Sequence, residues 1–196
     1  MGLKSYIKMF YYKKIKKWDD AQIRINHLRR VGMQIGEKTY IFSDNLETSE
    51  SYLVTIGSNV IIAPEVAFTT HDASASFYLE DASDLFGRIN IGDNCFLGMR
   101  STILPGVTIA NNCIVAAGSV VTKSFLEPGS VIAGNPAKKI TTVEKLKIKN
   151  QKHSLNIWGM SFEEKKTYLL NNEHKFKGYN DYNVEWKICK TKEIME

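Results

Sequence analysis

The sequence predicts an all-β solenoid, a parallel β-helix of six-residue units with helical flanks, and three observations predict it. Written in sixes from Ile91, the chain reads IGDNCF, LGMRST, ILPGVT, IANNCI, VAAGSV, VTKSFL, with Ile, Leu or Val at every first position. The second position is mostly Gly or Ala, and the fifth is small or β-branched: Cys95, Ser101, Val107, Cys113, Ser119. The same frame fits IGSNVI from Ile56 and IAPEVA from Ile62, runs on to Phe68, and reaches more loosely back to Ile35 and Ile41. An amphipathic helix needs apolar residues three and four apart, and a half-buried strand needs them two apart. A period of six instead means a short strand followed by a tight turn. Three such units close a triangular coil of eighteen residues, and stacked coils bury one another's aliphatic side chains.

The elements follow in order. Residues 1–30 form an N-terminal amphipathic segment, with Leu3, Ile7, Phe10 and Tyr11 at helical spacing and lysines elsewhere. Capping of the solenoid end is the expected use of that helix; its other reading is a membrane-surface contact. Residues 31–142 are the β-helix, interrupted by a loop insertion at about 72–88. Residues 143–196 are a C-terminal helical extension, in which Ser161 and Glu164 form a capping box that opens the helix FEEKKTYLL. Within the coils, Cys95 with Cys113 and Asn94 with Asn112 lie eighteen apart, so each pair should stack on one corner. The cysteines are expected as small buried side chains rather than a disulfide.

Composition narrows the class. Of 196 residues, 43% are hydrophobic and 24% charged, the balance of a globular chain rather than a disordered one. No stretch has the length of a membrane span, and the basic, aromatic start MGLKSYIKMFYYKKIKKW has no signal-peptide pattern. The three cysteines lack metal-type spacing and suit a reducing compartment, so a cytoplasmic location is expected, peripheral to the inner membrane face if the first helix touches lipid. The net charge of +5 favours anionic partners, but Lys and Arg concentrate at residues 4–30 and 138–152, and no nucleic-acid motif accompanies them.

One stretch breaks the repeat. After VTIGSNVIIAPEVAF the chain reads FTTHDAS, and the period of six is lost for about twenty residues. His71 is the only histidine within the coils, since His27, His153 and His174 fall in the flanks. Imidazole accepts a proton near neutral pH, which makes His71 a candidate general base; capping a turn is the alternative for a loop histidine. Asp72 is adjacent, but neighbouring side chains in extended backbone point to opposite sides. Asn45 and Glu50, from the preceding coil, are the other candidates to orient the ring.

Three blocks, VTIGSNVIIAPEVAFTTHD, INIGDNCFLGMRSTILPGVTI, and AAGSVVTK followed by VIAGNPAKKI, make the chain from about Ile35 to Ile140 similar to the hexapeptide-repeat acyltransferases with a left-handed parallel β-helix. The likeness is greatest to the maltose and galactoside O-acetyltransferases and the bacterial polysaccharide O-acetyltransferases. The resemblance implies acetyl-CoA as co-substrate, no metal, a homotrimer with sites between subunits, and a sugar or oligosaccharide acceptor. It implies that His71 is the catalytic base, activating a sugar hydroxyl for direct attack on the thioester, and that Asp72, Asn45 and Glu50 belong to the acceptor side. Phe96 stands where galactoside-type relatives carry Trp, as a wall of the acetyl site. For coenzyme A, the resemblance implies a groove over Gly98, Met99, Ala116 and Ala117, with Thr122, Lys138 and Lys139 approaching the nucleotide end. Two departures stand out. The stretch SDNLETSES does not align with the Asn and Asp that precede the histidine in galactoside-type relatives, and an Arg found near Thr141 in relatives is missing.

The expected activity is O-acetylation of a sugar hydroxyl, in a surface polysaccharide or its precursor. N-acetylation of an amino-sugar nucleotide is the alternative, on the same fold and donor. A zinc carbonic anhydrase with this solenoid needs three histidine ligands, which the coils do not hold. A non-enzymatic β-helical scaffold would want regular faces without the excursion after His71.

Overall fold

The structure, a computed structural model, describes residues 20–178. The expected helix over residues 3–18 lies outside that range. Two compact units divide the chain, one ending at Glu144 and the other starting at Lys145.

In the first unit, helix α1 (Asp20–Arg30) precedes a series of very short strands. These are β1 (Gln34–Ile35), β2 (Tyr40–Ile41), β3 (Val54–Ile56), β4 (Ile61–Ile62), β5 (Ala67–Phe68), β6 (His71–Asp72) and β7 (Leu85–Phe86). They continue as β8 (Ile89–Ile91), β9 (Phe96–Leu97), β10 (Thr102–Ile103), β11 (Thr108–Ile109), β12 (Ile114–Val115) and β13 (Val120–Val121), then β14 (Ser130–Gly134) and β15 (Ala137–Thr142). Apart from the pairs β6–β7 and β14–β15, successive strands in the chain belong to different sheets. One sheet runs β1-β3-β8-β11, a second β5-β10-β13, and the third β2-β4-β9-β12-β14-β15. All neighbours in these sheets are parallel except the last pair, so the chain circulates through three faces and stacks each coil on the one before.

The register explains the period of six. Thr102 pairs with Val120, Asn90 with Thr108 and Phe96 with Ile114, each eighteen residues along. The first-position residues consequently align in three columns. They are Ile35, Ile56, Ile91 and Ile109; Ile41, Ile62, Leu97, Val115 and Ile132; and Phe68, Ile103 and Val121, all buried. Each large aliphatic side chain removed from water contributes about 1.5–3 kcal/mol, and its neighbours above and below supply the cover. The fifth-position residues Val60, Val66, Cys95, Ser101, Val107, Cys113 and Ser119 are buried as well.

The stacked corners are as the spacing predicts. Asn59, Asn94 and Asn112 all hold positive φ, between 56 and 60°, and the Asn59 side-chain amide donates to Asn94 Oδ1 at 2.7 Å. Asparagine is one of the few residues that tolerates this left-handed turn without glycine. Cys95 and Cys113 are both free and buried. Burial pushes the Cys95 thiol up to about 11, and its Sγ–H donates to the Ala110 carbonyl at 3.2 Å. One feature departs from the repeat at its far end. Through a turn at Gly134, β15 folds back antiparallel on β14, closing the third sheet.

The second unit contains most of helix α2 (Val143–Asn150) and all of α3 (Phe162–Asn171). Ser161 Oγ accepts from the Glu164 backbone N–H while the Glu164 carboxylate accepts from the Ser161 N–H, the reciprocal capping box expected from SFEE. Among the described residues, no helix is long and apolar enough to cross a membrane.

Candidate active site

The interruption after Phe68 is a hairpin, and it starts at His71 itself. Ala67 pairs with Thr102, thirty-five residues along, where later coils pair at eighteen. The surplus leaves the coil as β6, passes through a 3-10 turn at Ala73–Phe77, and returns as antiparallel β7. Its neck is closed by the Gly87 N–H, which donates to the Thr70 carbonyl at 2.9 Å. A side chain at Gly87 has no room, because its Cβ would sit 2.1 Å from the Gly106 backbone nitrogen of the next coil. The hairpin therefore re-enters hard against the stack, with His71 held at its base opposite Phe86. The two rings lie 5.9 Å apart between centroids, inclined at 47°.

A second irregularity supplies the partner. The first coil pairs with the second at an offset of twenty-one, not eighteen, and residues 42–53 carry no strand on the face of the second sheet, the one that holds β5, β10 and β13. This is the SDNLETSES stretch. It is pinned inward by the Ser43 hydroxyl, which donates to the Val66 carbonyl at 2.7 Å, and by the buried Ser51 hydroxyl, which donates to the Thr48 carbonyl at 2.9 Å. Glu50 sits between these anchors, and its Oε2 lies 2.8 Å from His71 Nδ1. The same oxygen accepts from the Thr70 hydroxyl, also at 2.8 Å.

The electrostatics follow from that contact. The Glu50 carboxyl is held below its ordinary range, chiefly by the hydrogen bond from Thr70 and then by that from His71. His71 is raised above its ordinary value, first by the Glu50 hydrogen bond and further by the charges of Glu50, Asp84 and Asp72, against a lowering from desolvation. An ionised carboxylate only accepts, so the neutral imidazole bonded to it carries its proton on Nδ1 and keeps the Nε2 lone pair. With 39% of its side chain exposed, His71 is accessible while Glu50, at 16%, is largely covered.

The other expected site residues are distributed over the coil. Asp72 bonds within the hairpin: its Oδ1 accepts from the Ser74 N–H at 2.9 Å and fixes the start of the 3-10 turn. Asn45 is exposed and its backbone N–H donates to the Ser43 hydroxyl, so Glu50 alone of the three candidates meets His71. Phe96 is on the third sheet, 40% exposed, in register between Ile61 and Ile114. His71 and Phe96 thus belong to different parts of the coil.

Gly98 and Met99 form the corner after β9, and Ala116 and Ala117 the same corner one coil on. The Gly98 N–H donates to the Val115 carbonyl at 2.8 Å, and a Cβ on Gly98 would lie 2.5 Å from the Ala117 nitrogen, so the coils touch at backbone distance. Thr122 follows β13 on the corner that His71 leaves, one coil beyond Leu104. Lys138 and Lys139 lie on β15, opposite Ala133 and Ile132. Lys139 is already ion-paired with Glu127, whereas Lys138 has no ion pair among the described residues. One residue at the site was not singled out from the sequence, Thr70, whose only signal was its place beside His71; Phe86, an aromatic of the insertion, becomes a ring neighbour of His71 only through hairpin pairing.

Among the described residues no group of three or more His, Cys, Asp or Glu side chains is arranged to hold a metal ion. His27 is instead bonded to Glu47, at 2.6 Å, and His153 to the Lys175 carbonyl.

Comparison with known proteins gives this geometry a family. Residues 88–123 match the family described as hexapeptide repeat of succinyl-transferase. Over 160 residues the chain is 39% identical to Protein CapG of Staphylococcus aureus, covering 80% of this chain and 90% of that protein. It is 37% identical over 112 residues to the galactoside O-acetyltransferase of Escherichia coli K12, with 57% of this chain and 54% of that enzyme covered. Among solved structures, a maltose O-acetyltransferase from Clostridium difficile 630 superposes with a TM-score of 0.50 at 26% identity, over 71% of this chain and 83% of that one. With its coils, its corner glycines and its hairpin histidine in the order the three sequence blocks require, the chain belongs to the hexapeptide-repeat acyltransferase family.

Proposed function

We propose that the protein is an acetyl-CoA-dependent O-acetyltransferase that acts on a sugar hydroxyl in a surface polysaccharide or its precursor. The observation that carries this reading is the accessible His71 ring bonded through Nδ1 to the largely covered Glu50 carboxylate. A sugar hydroxyl is a poor nucleophile until its proton leaves. His71 Nε2 takes that proton as the oxygen attacks the thioester carbonyl, and the imidazolium then protonates the departing coenzyme A thiolate. Glu50 holds the ring and offsets the imidazolium charge. No cysteine nucleophile is used: Cys95 and Cys113 are buried, and burial raises both thiols.

The donor lies along the corner of Gly98, Met99, Ala116 and Ala117, where a backbone N–H polarises the thioester carbonyl. Lys138, which has no ion pair among the described residues, is the candidate cation for its phosphates together with Thr122, and Lys139 contributes once released from Glu127. The coils wind left-handedly, and a homotrimer supplies each site with a second wall, which Phe96 would help to build. Asp72 and the hairpin aromatics Phe77, Tyr78 and Phe86, all exposed, face the acceptor.

The test is replacement of the base. His71→Ala is expected to lower turnover with acetyl-CoA and an unsubstituted oligosaccharide about a hundredfold or more while leaving the circular dichroism unchanged. Near-normal turnover would rule the assignment out. Locating the new acetyl group by NMR on a panel that includes amino-sugar nucleotides separates the two acceptor chemistries; transfer to nitrogen alone would favour N-acetylation.

A further inference from the structure

We infer that Thr70 is a positioning residue for the His71 base, acting through Glu50: its hydroxyl clamps the carboxylate oxygen that holds the imidazole. This inference rests on His71 being the base. Thr70 is 1% exposed, and its side chain enters the stack while the next residue, His71, faces out. Its Oγ1–H donates to Glu50 Oε2 at 2.8 Å, and His71 Nδ1–H donates to that same oxygen at 2.8 Å. One carboxylate oxygen therefore receives two donors from consecutive residues. This is a geometry that neither the ring nor the glutamate can hold alone.

The need for a clamp follows from where Glu50 sits. It belongs to a segment without a strand, outside the ladder that fixes neighbouring coils, and a glutamate has three side-chain torsions to immobilise. Asp72, Ser43 and Ser51 make their bonds elsewhere, so among the described residues Thr70 and His71 are the two side chains that bond the carboxylate. Thr70 itself is fixed by both chain directions. Its carbonyl accepts from the Gly87 N–H at the hairpin neck, and Thr69 before it is bonded through its N–H to the Ile103 carbonyl of the next coil. The neck of the hairpin and the carboxylate of the preceding coil thus meet at a single buried residue. That links the fold of the excursion directly to the orientation of the base.

Substitution separates the hydroxyl from the shape. Thr70→Val keeps the branched side chain and removes the donor; Thr70→Ser keeps the donor. In Thr70→Val the carboxylate is free to turn to water and His71 loses the partner that raises its basicity. We expect kcat to fall by about tenfold to a hundredfold, the rate equivalent of one hydrogen bond to a charged group, with KM for both substrates little changed. The acid limb of the pH–rate profile, and the His71 titration followed by NMR of labelled histidines, should both move to lower pH. Thr70→Ser should restore both. A His71 midpoint in Thr70→Val that is unchanged or moves up would overturn the inference, as would a Ser variant as impaired as the Val variant. The failure of the underlying reading is distinct, since His71→Ala would then remain active. Thermal melts of both variants report whether a loss comes from folding instead, and the NMR midpoint needs no activity.

Discussion

At the scale of the residue, the site reduces to one imidazole and the oxygen that holds it. Because the Glu50 hydrogen bond and the surrounding carboxylates raise His71, the neutral, proton-accepting form is reached only above a pH higher than the ordinary 6.5. The proposed reaction should therefore slow as pH falls through that raised value, with the acid limb of kcat/KM lying above 6.5. Glu50→Gln removes the charge, and the limb should drop towards 6.5; a wild-type limb below 6.5 in the measured profile would contradict the argument. Stability obeys the same linkage with its own sign. The raised His71 contributes stabilisation present below its ordinary value and lost as pH rises through the raised one. The lowered Glu50 contributes stabilisation present above its ordinary 4.5 and lost as pH falls through the lowered one. The pair supports the fold in the window between.

At the scale of the element, two insertions into a repeating coil make the site. A hexapeptide coil by itself offers side chains at fixed, repeating positions, which suits packing but brings no two unlike functional groups together. The extra residues before β3 deliver Glu50, and the β6–β7 hairpin delivers His71, from coils that lie next to each other. The hairpin depends on its neck. At Gly87 an added methyl would have to displace the backbone at Pro105 and Gly106, neither of which is a flexible side chain. Gly87→Ala should cost about 1–3 kcal/mol in chemical denaturation, on the scale of overpacking a tight contact, and should lower turnover by displacing His71. An Ala variant with wild-type stability and turnover would mean that the neck is looser than the spacing requires.

At the scale of the whole molecule, one coil stack presents the base but only one side of the cleft that an acyl donor and an acceptor must share. The third sheet also leaves Tyr40, Ile61 and Phe96 in register and partly exposed, an apolar ladder of a kind usually covered. A closed ring of identical chains would cover apolar surface and complete the cleft together. Light scattering at micromolar protein should accordingly return three times the 22.2 kDa chain mass. A monomeric mass with full activity would remove the trimer from the mechanism.

How much of this was legible in the sequence depends on whether a feature repeats. The period of six from Ile91 determined the coil, its three buried columns and the stacked asparagines, because each position recurs in the same surroundings and only one kind of residue fits them. The capping box at Ser161 was equally readable, being a local bond between residues three apart. His71 was marked by the loss of the pattern. Its partner was not: Asp72 was set back by its adjacency to His71, and Asn45 and Glu50 could not be told apart in one dimension. The choice rested on how SDNLETSES folds without a strand, with Ser43 and Ser51 buried and Glu50 turned to the ring. The engagement of Lys139 with Glu127 and the clamp at Thr70 were hidden for the same reason. A repeating sequence fixes what each coil has in common. The contacts made where coils differ depend on side chains twelve to twenty-one residues apart, and only the closed stack brings these within bonding distance.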